Sequence, residues 1–163
     1  MTFGVRDLCK RFAVGEHTAD QLWKRYERFL KAVVPAAEKA GVRLAVHPND
    51  PPPPKYRGIE QILGSVDGLR RVCETVKSPA NGITFDTGVT REMGYNVIEN
   101  IQWFGKRDQI NHVHFRNVKG TLPGKQGYSE VLPDDGDLNM AAVLQTLIES
   151  GYQGAIDYDH AMG

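Results

Sequence analysis

Four short apolar runs alternate with stretches of helical periodicity, and each run carries a metal-capable side chain at or near its end. Residues 42–46 lead into His47, residues 83–85 into Asp86, the run through His112 and His114 reaches Asn117, and residues 155–159 contain Asp157 and close on Asp159. Alternating strands and helices with short connections fold as parallel strands joined by right-handed crossovers. In barrel or open α/β sheets of that kind, sites assemble at the carboxyl ends of the strands. The pattern therefore predicts an α/β fold with about four parallel strands and one edge to which four strands each deliver a histidine or a carboxylate.

The stretch Asn111-His112-Val113-His114-Phe115-Arg116-Asn117 is the most informative. Read as one strand, it sets His112, His114 and Arg116 on one face and Val113 and Phe115 on the other. The helices read as follows. From a Thr18 cap, Leu22, Tyr26, Phe29, Leu30, Val33 and Ala37 form a stripe that Gly41 ends, with a kink or restart expected at Pro35. Ser65 caps a second helix through Val66, Leu69, Val72, Cys73 and Val76. Val97, Ile98, Ile101 and Phe104 mark a third, and Met140, Val143, Leu144, Leu147 and Ile148 a fourth. Trp23 and Trp103 fall within helical patterns and are expected in the packing. Pro51 to Pro54 stiffen the segment after His47 into a loop or a lid. Asp134, Asp135 and Asp137 suit a solvated turn and a helix N-terminus, where the helix dipole favours carboxylates. The whole chain, 1–163, reads as a single domain, with 1–17 an irregular N-terminal segment and 18–163 carrying the repeats.

Composition narrows the partners. With 20 Lys+Arg against 20 Asp+Glu in 163 residues, no global field draws the chain to nucleic acid or to an anionic membrane. The N-terminus lacks the unbroken apolar core of a signal peptide, and no run approaches a membrane span. Two cysteines, Cys9 and Cys73, far apart and in no CxxC pair, fit reduced, structural thiols in a cytoplasmic protein.

Two imidazoles and two carboxylates, His47, His114, Asp86 and Asp159, suit a divalent cation. Mn2+ is the first choice, with Fe2+, Co2+, Zn2+ or Mg2+ behind it, because mixed nitrogen and oxygen ligation discriminates weakly. A lone strand-end histidine more often caps or hydrogen-bonds; the four together carry the argument. His112 either faces a substrate or lies one layer deeper and satisfies a buried carbonyl. Arg116 either forms a surface ion pair or grips a substrate carboxylate through two parallel contacts.

The segments His47-Pro48-Asn49-Asp50-Pro51-Pro52, Ser78-Pro79 through Gly82-Ile83-Thr84, His112 to Val118, Asp134-Asp135-Gly136-Asp137 and Asp159-His160 resemble the mannonate dehydratase family. The resemblance implies a fold similar to the xylose-isomerase-like TIM barrels and a hydro-lyase that dehydrates D-mannonate to 2-keto-3-deoxy-D-gluconate in hexuronate breakdown with Mn2+ or Fe2+. It implies His47, His114 and Asp159 as metal ligands. Asp86 stands where the family pattern has a cysteine, a harder donor like that of related sugar isomerases and epimerases. The family's chains are about twice as long, so this one is expected to be the C-terminal half barrel, strands five to eight. Its partners would be a sugar-acid substrate and either a second copy or an N-terminal half barrel that completes the sheet.

By position, the candidates for catalysis are Arg116, which would add charge beside the substrate, and His112, His160 and Asp50, any of which could act as the general acid. Two alternatives stand beside this reading: a sugar isomerase or epimerase of the same superfamily, and a truncated metal-binding fragment without activity.

Overall fold

The structure, a computed structural model, describes residues 2–3 and 15–160. In chain order its elements are β1 (Thr2–Phe3), α1 (Ala19–Lys39), β2 (Leu44–Val46), β3 (Lys55–Tyr56), β4 (Ile59–Glu60), α2 (Val66–Thr75) and β5 (Asn81–Asp86). There follow α3 (Thr87–Glu92), α4 (Val97–Gly105), β6 (Ile110–His114), β7 (Asn117–Gly120), β8 (Tyr128–Val131), α5 (Met140–Glu149) and β9 (Ile156–Asp157). Strands β2, β5, β6 and β9 form one parallel sheet in that spatial order. The alternation seen in the sequence has become a parallel α/β sheet, as crossover connections require.

All six residues of β5 are buried, and its alternation sorts the two faces. Ile83 and Phe85, with Val113 of β6, pack against Val66, Leu69 and Cys73 of α2, Val97, Ile101 and Phe104 of α4, and Val143 and Leu147 of α5. This is the main core. Period-two geometry sends Asp86, His112 and His114 to the opposite face. A second core joins Trp23, Leu30, Val34 and Ala37 of α1 to Val72 and Ala80.

Helix α1 opens with a capping box, in which the Thr18 hydroxyl accepts from the Gln21 amide and the Gln21 side chain accepts from the Thr18 amide. It then runs unbroken through Pro35, contrary to the expected kink or restart. Pro35 and Lys31 are both exposed, so water can satisfy the Lys31 carbonyl that loses its amide partner. The buried stripe is also rotated by about one residue from the expected one. Trp23 and Val34 are inside, whereas Phe29 is 52% exposed. The remaining helices start on side-chain caps at Ser65, Asp86, Asn96 and Asn139.

Three features depart from the linear reading. The strand through His112 ends at His114, so Arg116 is not on its face, and β7 begins in a separate antiparallel sheet ordered β1-β8-β7. The segment after the prolines folds into the short hairpin β3-β4. Within 1–17, read from sequence as irregular, Thr2–Phe3 pair antiparallel with Tyr128 and Ser129.

Asp137 accepts from Arg91 and from the Gly120 amide, and Asp135 from Lys119, so the acidic turn clamps β7 to α3 while Asn139 caps α5. Cys73 is a buried free thiol that burial pushes up to about 12, consistent with a structural role; Cys9 lies outside the described residues. Among the described residues no helix is long and apolar enough to cross a membrane.

Candidate metal centre

His47 follows β2 directly, Asp86 and His114 are the last residues of β5 and β6, and Asp159 lies two residues past β9. Parallel strands in register bring these four ends together. His47 Nε2 is 3.1 Å from His114 Nδ1 and 3.5 Å from Asp86 Oδ2. His114 Nδ1 is 3.4 Å from Asp86 Oδ2 and 3.4 Å from Asp159 Oδ1. Donors held about 2.1 Å from one ion stand roughly 3.0–3.4 Å from their neighbours in tetrahedral or octahedral geometry, so the spacing of His47, Asp86 and His114 fits a single divalent cation, with Asp159 adjoining the group at His114.

The local chemistry fits as well. His47 Nδ1 sits 2.7 Å from the Pro48 carbonyl, which fixes the proton on that nitrogen and leaves the Nε2 lone pair facing the cluster. Burial alone would raise the Asp86 carboxyl. His114, His47, the Arg116 charge and the Val89 amide outweigh it and hold Asp86 well below the usual carboxylate range. Asp86 thus stays ionised although its side chain is completely buried. Its Oδ1 caps α3 through the Val89 amide at 2.7 Å, and its Oδ2 faces the two histidines. For His47, burial pulls the imidazole down, but Asp86 and the Pro48 carbonyl carry it above its ordinary value.

Arg116 lies beneath this cluster with 3% of its side chain exposed. Its Nε reaches both oxygens of Asp86 at 3.1 and 2.9 Å, Nη2 reaches Asp50 at 2.6 Å, and Nη1 reaches Glu130 at 3.0 Å and Glu92 at 3.1 Å. The guanidinium that the sequence offered to a substrate carboxylate is surrounded by carboxylates of its own chain. Gly88 permits this approach, since a Cβ there would stand 2.8 Å from the Arg116 side chain.

Asp50 is therefore tied to Arg116, with burial raising its carboxyl and Arg116 opposing. His160 Nδ1 is 3.0 Å from Asp159 Oδ2 and its Nε2 is 3.0 Å from Glu130 Oε2; both carboxylates raise its pKa. His112 points into the open face and bonds Asp157 at 2.8 Å. Its role as a buried hydrogen-bonding residue one layer down does not arise, because more than a quarter of its side chain is exposed.

Two residues around the site, Glu92 and Glu130, were not singled out from the sequence, and Asp157, which the alternation puts on one strand face with Asp159, was given no role. Glu92 and Glu130 carry no local signal, because only long-range folding sets them around Arg116. Glu92 is fully buried, and burial with repulsion from Asp50 pushes it up to about 9 despite Arg116, so it holds its proton at neutral pH.

Four parallel strands with flanking helices, carrying two histidines and two carboxylates convergent at their carboxyl ends, define a metalloprotein-like half of an α/β barrel. The model of the D-mannonate dehydratase (UxuA) family matches residues 5–163, and the chain belongs to that family. The mannonate dehydratase of Lactococcus lactis subsp. cremoris is 35% identical over 160 residues, 96% of this chain and 44% of that protein. The Enterococcus faecalis enzyme is 37% identical over 146 residues, 88% of this chain and 40% of that one. The crystal structure of mannonate dehydratase from Streptococcus suis serotype 2 superposes with a TM-score of 0.86 at 31% identity, covering 98% of this chain and 47% of that chain.

A xylose isomerase domain protein from Alicyclobacillus acidocaldarius shares the fold at a TM-score of 0.62 and 16% identity, with 88% of this chain and 52% of that one covered. The fold is thus a partial TIM-barrel-like one of the xylose-isomerase type. The chain spans less than half the length of the curated relatives it matches.

Proposed function

We propose that this chain carries D-mannonate dehydratase chemistry, the loss of water from D-mannonate to give 2-keto-3-deoxy-D-gluconate, at a divalent-cation centre held by His47, Asp86, His114 and Asp159. The observation that carries the reading is the mutual 3.1–3.5 Å spacing of His47 Nε2, His114 Nδ1 and Asp86 Oδ2, with Asp159 Oδ1 3.4 Å from His114 Nδ1 at the side of that group. Mn2+ is the preferred ion, with Fe2+ next, because a set of two imidazoles and two hard carboxylates lacks the thiolate that would favour softer metals. When bound, the cation supplies positive charge to stabilise the anion formed as the proton beside the substrate carboxylate is removed.

The protein's own groups do the rest. Arg116 holds Asp86 ionised and aimed; with its donors engaged by Asp50, Asp86, Glu92 and Glu130, it serves the centre rather than the substrate. Departure of the 3-hydroxyl as water needs a proton donor on the open face. His112, His160 and Asp50 stand there, within reach of Asp157, Asp159 and Arg116 respectively. A cytoplasmic sugar-acid lyase is the setting this reading gives.

A second reading is favoured by the sheet itself. Among the described residues, β2 and β9 each pair with a sheet neighbour on one side only, leaving two edges open. Open edges drive association, so the active form is a homodimer that completes the sheet or a complex with an N-terminal half barrel. Without either, the chain binds the cation and turns over nothing. The test is incubation with Mn2+ and D-mannonate, assay of the 2-keto-3-deoxy acid, and light scattering on the same sample. Product from a dimer supports the dehydratase reading. An associated, Mn2+-loaded sample that converts aldose or ketose sugars instead would replace it with an isomerase or epimerase.

A further inference from the structure

We infer that Asp157, which the proposed chemistry does not use, is the positioning residue of the cation centre: it sets the tautomer of His114 and the turn that presents Asp159. The inference rests on the metal-centre reading above. In the parallel pairing of β6 with β9, His114 and Asp157 are Cα partners, so the carboxylate lies beside the imidazole. Asp157 Oδ1 accepts from the Asp159 amide at 2.9 Å, a hydrogen bond two residues along the chain that closes an Asx turn. Asp159 sits inside that turn at φ 67°, a left-handed conformation that a non-glycine residue keeps only when its surroundings hold it. The ligand that arrives past the end of β9 is thus aimed by Asp157 and not by the strand.

The same oxygen stands 3.6 Å from His114 Nε2, while Oδ2 takes the His112 Nε2 contact at 2.8 Å. A neutral imidazole has one N–H and one lone pair. With Nδ1 of His114 turned to the cation donors, its proton must reside on Nε2, and Asp157 is the acceptor placed for it. The 3.6 Å separation is longer than a hydrogen bond, so the assignment requires the imidazole and the carboxylate to approach by a few tenths of an ångström in the loaded centre. This is the carboxylate–histidine–metal arrangement that orients many metal ligands. His112 braces the far oxygen and keeps the carboxylate facing His114.

His112, His114 and Asp157 also lie close enough to suggest a second cation, with donor atoms within 4.8 Å of one another. That occupancy would strip His114 of both ring protons while Nδ1 serves the first ion, so one ion per chain is expected.

The test uses the full chain and Mn2+ alone, with affinity read by competition with a chelator. Asp157 is 53% exposed on its side chain, so its replacement leaves the core intact, which circular dichroism checks. Asp157→Ala is expected to weaken Mn2+ binding 10- to 100-fold. Asp157→Asn keeps an oxygen for the Asp159 amide and recovers part of the loss. In Zn2+-loaded wild-type protein, 15N spectra of the histidines show His114 bound through Nδ1 with a slowly exchanging proton on Nε2; in Asp157→Ala that proton has no carboxylate acceptor and exchanges rapidly with water. Wild-type affinity in Asp157→Ala overturns the inference alone, as does a wild-type stoichiometry of two ions that falls to one. Wild-type protein that takes up no Mn2+ overturns the metal-centre reading and this assignment with it.

Discussion

Arg116 Nε stands 3.1 and 2.9 Å from the two carboxylate oxygens of Asp86, and the Arg116 side chain is 3% exposed while that of Asp86 is completely buried. The pair spans 30 residues of sequence and couples the floor of the candidate centre to α3, β8 and the loop after His47 through Glu92, Glu130 and Asp50. Attraction in a dry site offsets desolvation only while every partner is present.

Removing the cation of that network strands the buried carboxylate of Asp86 and takes the partner from the partly exposed Asp50 and Glu130. Arg116→Ala is expected to destabilise the fold by about 3–5 kcal/mol. Arg116→Lys recovers little, because a single ammonium cannot reach Asp86, Asp50 and Glu130 in the directions a planar fork does. Urea unfolding midpoints at neutral pH check this; a loss in Arg116→Ala below about 1 kcal/mol, the scale of an exposed pair, would contradict it.

Glu92 gives a pH dependence of definite sign. Its folded carboxyl is pushed up to about 9, whereas in the unfolded chain a glutamate titrates near 4.3. Between those values the folded state binds the extra proton, so Glu92 makes stability fall as pH rises through the window, with a limiting slope of about 1.4 kcal/mol per pH unit. Glu92→Gln removes this contribution, and its unfolding free energy should decline less than the wild type's from pH 6 to 9. Parallel curves for the two proteins would show that Glu92 is ionised in the folded state.

Asp86 acts in the opposite direction. Its folded pKa is depressed, so its contribution is complete above the unfolded value near 3.9 and is lost as pH falls below that toward the folded value. Acid unfolding of the wild type should therefore begin below about pH 4. Asp86→Asn, which has no carboxylate to protonate, should show a shallower fall in stability there when both are followed by circular dichroism.

The four donors are not equivalent in what they tolerate. His47→Ala deletes an imidazole whose lone pair is fixed by the Pro48 carbonyl, and is expected to weaken Mn2+ by more than the roughly 100-fold limit typical of outer-shell changes. Asp86→Cys replaces a hard oxygen with a soft sulfur and should raise the preference for Zn2+ over Mn2+. Competition titrations measure both; an unchanged Zn2+ to Mn2+ ratio in Asp86→Cys would place Asp86 outside the coordination sphere.

The sequence by itself determined the order of the four parallel strands and of the four longer helices among them, and which residues stand at the strand ends. Period-two and period-3.6 patterning are local properties, and parallel connections bring His47, Asp86, His114 and Asp159 to one edge whatever the loops do. It missed the one-residue rotation of the α1 stripe and the continuity of α1 through Pro35. Burial is decided there by what packs opposite: Val72 and Ala80 meet Trp23 and Val34, and Pro35 faces water.

It also misjudged Arg116, because extending the alternation two residues past His114 assumes a strand that the turn into β7 ends. Tertiary structure alone decided that Arg116 binds Asp50 from 66 residues away, that Glu92 keeps its proton and that Asp157 holds the Asp159 turn beside His114. The first two depend on desolvation and on charges brought within a few ångströms by folding, and the third on strand register. A linear pattern encodes none of these distances.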